Sequence, residues 1–527
     1  MSLTPCSNRD SRDNRGNLGS SFPATKPDDC PTLTLTFRNA DGYDETIGVV
    51  WTQDVKFTND KLVVGEDFRR SFDFSAQISS KVTVLADVNS AFQELGLNCQ
   101  VNQYYQRLVI SGTPRKEYVG NFRVRIVKPN GESSQHESPL VIRAPQSLWQ
   151  ENNPPKDAPY PTPNVQEDSG VINTKKRLTV LAASVRGRSH AHEGKFRDDY
   201  FQFKICQTAT GVQDPFGWHV FTVSDGAGSA RYSRKGAQIV CESFTGVVSR
   251  TLNSPDGFGK ELTKSVLREI NNRQANGILS TSEFSTQDVE QFRLDQFWYA
   301  VVDDAQKKIA DEVDAQNRQI ERRNAYSRTQ EAKVSARDFS ATALCVAIKR
   351  FKSDSYPTWC VLTYWVGDGA IVVYRPGYSY PVEPDNLAST AKLLGAPDGG
   401  EYAGETKFIT SHSENNPKST LARARMIVVR NFEALLMATD GVTDPFFETP
   451  NALESSEKLL DFWKTDFREY FPGALDASLS PEERAEELRK GLMFQKRGYH
   501  DDRTLLLVLN DAVVDVEKRS IAKDSKR

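Results

Sequence analysis

The chain has 527 residues, a formal net charge of −3 and a hydrophobic fraction of 38%, so it exceeds one ordinary core, and two or three domains are expected. The near-balanced charge offers no global field for nucleic acid or an anionic membrane. No apolar run approaches the ~18 residues needed to span a bilayer, and the opening "MSLTPCSNRDSRDNRG" has no apolar h-region, so no secretory leader is expected.

In chain order, residues 1–30 are rich in Ser, Asn, Asp and Arg and are expected to be disordered. Residues 31–147 change to short alternating stretches such as "TLTLTFRN", "KVTVLADV" and "NFRVRIVK", separated by turn signals such as Asn130-Gly131. Short strands at this spacing predict a small β-sandwich. The run "LVISGTPRKEYVGNFRVRIVKPNG" resembles immunoglobulin-like domains found beside bacterial enzymes and surface proteins, which implies an all-β immunoglobulin-like binding or spacing module. Nothing in it looks catalytic.

A linker is expected over 148–173, where "QENNPPKDAPYPTPNVQED" carries five prolines in nineteen residues. From 174 to 514 strands and helices alternate. Strands are expected at Leu178–Val185, Tyr200–Ile205, Trp218–Ser224, Ala341–Ile348, Thr358–Val366, Ala370–Tyr374, Ala434–Thr439 and Thr504–Leu509, with amphipathic helices from Tyr232 to Leu252 and Lys260 to Asn272. An insertion over about 259–338 contains a long helical stretch whose first half is apolar at helical spacing and whose second half is almost wholly polar. A solvated or protruding helix is the expectation, with a partner-binding arm as the alternative. A basic tail, 515–527, closes the chain.

The seven cysteines (Cys6, Cys30, Cys99, Cys206, Cys241, Cys345, Cys360) are odd in number and never spaced as C-x-x-C. That argues against a disulfide framework and a thiolate zinc site, and makes a cytoplasmic protein the default.

The chemistry sits in acids at strand ends. "VSDGAGSA" leaves a strand at Asp225, "YWVGDGA" places Asp368 between glycines, and "MATDGVTD" ends a strand at Asp440. Asp501 and Asp502 precede the last strand, as Asp198 and Asp199 precede an early one. One Asp-Gly after a strand is an ordinary turn; five such sites predict carboxylates converging on one cleft. Alone they would repel and raise one another's pKa values. A divalent cation resolves this, and oxygen-only ligation suits Mg²⁺ or Mn²⁺. A dinucleotide loop at Gly226-Ala227-Gly228 is disfavoured, because Arg231 stands where the third glycine belongs.

Read together, Asp198-Asp199, Asp225-Gly226-Ala227-Gly228, Ser340-Ala341-Thr342, Gly367-Asp368-Gly369, Thr439-Asp440-Gly441 and Asp501-Asp502-Arg503-Thr504 resemble, in order, the motifs of the metal-dependent type-2C Ser/Thr protein phosphatases, particularly their bacterial branch. The resemblance covers roughly residues 175–510. It implies two antiparallel sheets packed face to face with helices outside each, an α-β-β-α sandwich, with a two-metal centre at one edge. By position, Asp225, Asp440 and Asp501 would ligate metal with the Gly226 carbonyl. Asp198 and Asp199 would hold metal-bound waters, and Asp368, with Asp338 as a further candidate, would serve a third, weaker site. Two such cations acidify a bridging water that attacks phosphorus in line.

His190 and His192, in "RGRSHAHEGKFRDD", are the candidate general acids, with a surface-polar or zinc-type role as the alternative. The arginine that family members carry four residues before the acidic pair, where it holds the substrate phosphate, is Gly194 here. Arg186, Arg188 and Lys195 are candidates to replace it, as is His192. The expected function is dephosphorylation of phosphoserine and phosphothreonine in proteins. The N-terminal module would recruit a partner, a cognate kinase or its substrate. A degenerate fold acting as a scaffold, or a phosphatase of small phosphorylated molecules, are the alternatives.

Overall fold

The computed structural model describes residues 31–39, 49–51, 62, 64–65, 68–76, 82–102, 107–127, 131–142, 149–172, 178–208, 210–275, 282–283, 292–327, 330–351, 358–375, 390–395, 397, 406–410, 417–429, 432–447, 450–496 and 498–511. The termini expected to be disordered and basic, 1–30 and 515–527, lie outside them. The chain divides into two compact units, Met1–Ser147 and Leu148–Arg527.

The first unit is β-rich. One sheet has the order β4-β1-β7-β8 and the other β2-β3-β6-β5. The strands are β1 (Thr32–Asn39), β2 (Val49–Trp51), β3 (Phe68–Ala76), β4 (Val82–Val88), β5 (Leu97–Asn102), β6 (Arg107–Gly112), β7 (Tyr118–Val127) and β8 (Ser133–Ile142). Alternation along β7 buries Phe122, Val124 and Ile126, and these share one core with Leu33, Leu35, Leu108 and Ile110 from both sheets. The two sheets therefore pack as a sandwich.

The second unit has two six-stranded sheets, and every strand pair in them is antiparallel. One runs β17-β16-β19-β20-β10-β9 and the other β11-β12-β14-β15-β18-β13. The first comprises β9 (Val165–Ile172), β10 (Leu178–Val185), β16 (Ala370–Arg375), β17 (Thr390–Leu393), β19 (Ala434–Ala438) and β20 (Arg503–Asn510). The second comprises β11 (Tyr200–Lys204), β12 (His219–Ser224), β13 (Ser282–Glu283), β14 (Ala343–Phe351), β15 (Thr358–Val366) and β18 (Ala424–Val429).

Strand alternation explains the long apolar runs. In β20, Leu506 and Val508 join the core between the sheets. Leu505, Leu507 and Leu509 face the other way, into a core closed by outer helices. Both faces are buried, so "RTLLLVLN" has no polar alternation. A third core covers the outer face of the second sheet beneath α1 (Ser233–Leu252), α2 (Phe258–Ala275) and α3 (Leu294–Asn324). The result is the expected four-layer α-β-β-α sandwich.

Two expectations change. The second half of α3 is not a protruding arm: Gln316 and Ile320 are buried, and the helix packs along α1 as part of the outer layer. Its apolar residues Trp298, Val301, Val302, Ala305 and Ile309 set one helical face, and widely spaced Ile320 continues it. The end of the Pro-rich run is not free linker either. Val165–Ile172 forms β9, which pairs antiparallel with β10 at the sheet edge. Among the described residues, no helix is long and apolar enough to cross a membrane.

Candidate metal centre

Antiparallel register brings the acids to one edge. Tyr200 pairs with Ser224, so Asp199 stands beside Asp225 at the neighbouring strand end. Val223 pairs with Leu344 and Ala343 with Val366, which carries the Asp368 turn to the same edge. In the other sheet Ala438 pairs with Ala370 and with Leu505, and Val185 pairs with Arg503. Asp440 and the Asp501-Asp502 pair therefore emerge there too.

Two groups form. Carboxylate oxygens of Asp225, Asp368 and Asp440 lie within 4.8 Å of one another, and so do ligand atoms of His190, Asp501 and Asp502. Asp368, expected at a weaker third site, thus stands in the group with Asp225 and Asp440. It also accepts a bond from the Thr406 hydroxyl at 2.5 Å. Asp338 is in neither group; it closes a capping box with Ser335, whose N–H lies 2.8 Å from its carboxylate.

Hydroxyls of the strand ends fix the acids. Thr439 and Thr504 donate to Asp199 Oδ2 at 2.9 and 2.7 Å. The other oxygen, Oδ1, is buried with no hydrogen-bond partner. The Thr342 hydroxyl accepts the Asp225 N–H at 2.8 Å, and the Thr342 N–H returns a bond to the Asp225 carbonyl at 2.8 Å. Gly226 forms a bridge with Ala341. That bridge uses the Asp225 carbonyl and the Ala227 N–H, so the Gly226 carbonyl lies outside it. A Cβ at Gly226 would come within 2.7 Å of the Asp198 carbonyl oxygen, so close packing as well as ligand access demands glycine.

The electrostatics are those of crowded acids. Burial, then the Asp440, Asp199 and Asp501 charges, push Asp225 well above the usual carboxylate range. Burial and the Asp368 and Asp501 charges do the same to Asp440. Burial and Asp502 lift Asp199 to about 7. Burial lifts Asp198 to about 6, against the attraction of His190. The buried Asp199 Oδ1 and the all-oxygen donor set of Asp225, Asp368 and Asp440 fit a hard divalent cation, which would return the acids to their charged forms.

Asp502 has a different role from its neighbour. Asp501 is exposed, whereas Asp502 is 2% exposed. The Asp502 carboxylate accepts the Gly187 N–H at 2.6 Å and the Asp198 N–H at 2.5 Å, and lies 3.0 Å from His190 Nδ1. It ties the last strand's approach to both the His190 turn and the Asp198 backbone. Burial pulls the His190 imidazole down, but the Asp502 charge overrides it and raises the group to about 10.

The other sequence candidates belong to neither acid group. His192 stacks on Trp149 with ring centroids 5.2 Å apart. Arg186 Nη1 donates to the Asn152 and Lys195 carbonyls, and Arg188 Nη2 to the Trp149 carbonyl. Lys195 is exposed and pairs with Glu193 at 2.7 Å. The sequence reading missed Arg234, in the first turn of α1. Its Nη1 lies 3.9 Å from Asp198 Oδ1, while Nε and Nη2 donate to the Tyr160 and Pro159 carbonyls. Only the pairing of distant segments reveals it. Thr439 and Thr504 were readable as motif members, but their bonds to Asp199 were not.

No curated protein matches the chain. Among solved structures it is similar to a bacterial serine phosphatase at 11% identity, covering 63% of this chain and 97% of that one, with a TM-score of 0.31. It is likewise similar to the serine/threonine phosphatase Stp1 from Staphylococcus aureus at 9% identity, covering 67% and 98%, with a TM-score of 0.29. The phosphatase domain of SpoIIE from Bacillus subtilis, with a fragment of its regulatory domain, is similar at 8% identity, covering 88% and 81%, with a TM-score of 0.28. The sequence model of the protein phosphatase 2C family matches residues 186–492, more than half of the chain, and the acid groups lie within or just beyond that stretch. On that match the chain belongs to the protein phosphatase 2C family.

Proposed function

We propose that this chain is a metal-dependent protein phosphatase acting on phosphoserine and phosphothreonine. The observation that carries the reading is the gathering of Asp225, Asp368 and Asp440 within 4.8 Å. Asp225, Asp440 and Asp501, with the Gly226 carbonyl, are the proposed direct holders of two Mn²⁺ or Mg²⁺ ions, with Asp368 beside them and Asp198 and Asp199 behind. When bound, the cations supply an acidified water and positive charge for the phosphoryl oxygens.

The chain's own residues do the rest. Thr439 and Thr504 orient Asp199 by donating to its Oδ2, which leaves Oδ1 outside those two bonds. His190 presents Nδ1 to Asp502, so Nε2 is the nitrogen left to carry a proton to the leaving seryl or threonyl oxygen. Arg186, Arg188 and Lys195 are the candidates to meet the phosphate dianion, joined by Arg234, whose guanidinium spends two of its five N–H groups on the Tyr160 and Pro159 carbonyls. A scaffold has no use for repelling carboxylates held together, which favours catalysis. The immunoglobulin-like reading of the N-terminal sandwich makes it the recruiting module for the phosphoprotein or a cognate Ser/Thr kinase.

Hydrolysis of phenyl phosphate and of a phosphothreonine peptide in Mn²⁺ tests the reading. Wild type should hydrolyse both, and Asp225→Ala or Asp440→Ala should lose about 10²-fold or more in kcat, by analogy with removal of a single charge-stabilising group. A wild-type protein inactive on both substrates in saturating Mn²⁺ overturns it.

A further inference from the structure

The Pro-rich stretch before β9 is not loosely attached. At one end Trp149, 6% exposed, lies parallel to His192, and edge-on to His500 with centroids 4.7 Å apart. His192 follows His190 by two residues, and His500 directly precedes Asp501. The indole is therefore wedged between the two segments that bring His190 to Asp501 and Asp502. Those segments are also tied to each other, since the Ser189 N–H and hydroxyl both donate to the His500 carbonyl at 3.1 and 2.9 Å. Asn152 adds two bonds to the same helical turn, from its N–H to the Ala191 carbonyl at 2.8 Å and from Nδ2 to the His192 carbonyl at 2.5 Å.

At the other end the strap reaches the acidic pair. Tyr160 sits at φ 56°, in the left-handed region that costs a tyrosine backbone energy. Its hydroxyl donates to Glu312 at 2.5 Å, and its carbonyl accepts Arg234 Nε at 2.7 Å. That carbonyl and its Pro159 neighbour hold the guanidinium whose remaining nitrogen faces Asp198. The guanidinium of Arg197, fully buried next to Asp198, donates to the Pro163 carbonyl at 3.1 Å, and Thr162 donates to the Arg197 carbonyl at 2.6 Å. A strained residue held at both ends is what an over-determined positioning element looks like.

We propose that residues 149–163, which precede the stretch matched by the family, are a positioning element of the metal centre, with Trp149 as the anchor at the His190–Asp501–Asp502 end. The inference rests on the reading that these acids hold Mn²⁺. The strap touches no ion; it sets where the acids stand, and partners of this kind are worth about 10- to 100-fold in metal affinity.

The test is Mn²⁺ binding to the full chain by calorimetry, independent of turnover. Trp149→Leu, which keeps apolar bulk and loses the stacking, should weaken Mn²⁺ about tenfold, whereas Trp149→Phe should stay within about threefold of wild type by restoring a ring between the two histidines. Asn152→Ala, on the surface, should weaken it in the same direction and decides the matter if Trp149→Leu does not fold. Wild-type affinity in the folded variants overturns the proposal alone. A wild type that binds no Mn²⁺ overturns it together with the metal reading on which it rests.

Discussion

Asp502 is the residue on which the local geometry depends most. Replacing it with alanine leaves two buried N–H groups, of Gly187 and Asp198, and the His190 imidazole without their acceptor. The expected loss is roughly 3–5 kcal/mol of stability, the range for breaking a buried charged pair, measurable by denaturant unfolding. A second residue-scale expectation concerns pH. Asp198 and Asp199 stand at about 6 and about 7 in the fold, above the usual carboxylate value of about 4. The folded state therefore binds more protons than the unfolded one across that window. Without metal, stability should be highest below about pH 4 as far as these groups are concerned and should fall as pH rises to about 7. Mn²⁺ should remove the decline, because it favours the charged carboxylates. Melting curves at pH 5 and pH 8, with and without Mn²⁺, check this; a metal-free protein that gains stability from these acids over that range contradicts it.

At the scale of elements, α3 and the turn carrying Asp440 make the clearest claims. Trp298 on α3 is wholly buried and stacks on Tyr364 of β15 with centroids 5.3 Å apart. Trp298→Ala should cost about 3–5 kcal/mol, measurable by denaturant unfolding. Gly441 follows Asp440, and a Cβ there would stand 1.9 Å from the Asp502 carbonyl oxygen. Both are parts of the site's framework, so Gly441→Ala must move one acid-bearing segment away from the other. It should weaken Mn²⁺ binding by about tenfold, read by calorimetry on the folded variant.

For the whole molecule, the sandwich of the first unit and the two-sheet unit have separate cores. Differential scanning calorimetry of the full chain should therefore resolve two transitions, of which Mn²⁺ shifts only one. A single transition displaced as a whole by Mn²⁺ contradicts independent units.

Much of this was legible in the chain. Strand β10 and strand β15 fall where the apolar runs predict, because both faces are buried and the polar residues within them are small hydroxyls, Thr179 and Ser184 in one and Thr358 and Thr363 in the other. The acids were legible because each stands at a strand end beside a glycine or a second acid. What the sequence by itself determined is local: where strands and helices form, and which residue types crowd their ends. Tertiary structure alone decided which acid serves which group. Asp501 and Asp502 are adjacent and chemically alike, yet register exposes one and buries the other among donors from residues 187 and 198. It also turned a proline-rich run into a strap, and a charged helix end into an outer layer. The physical reason is that burial and hydrogen-bond partners arise between segments far apart in the chain, and no local pattern records which distant backbone N–H or aromatic ring will meet a given side chain.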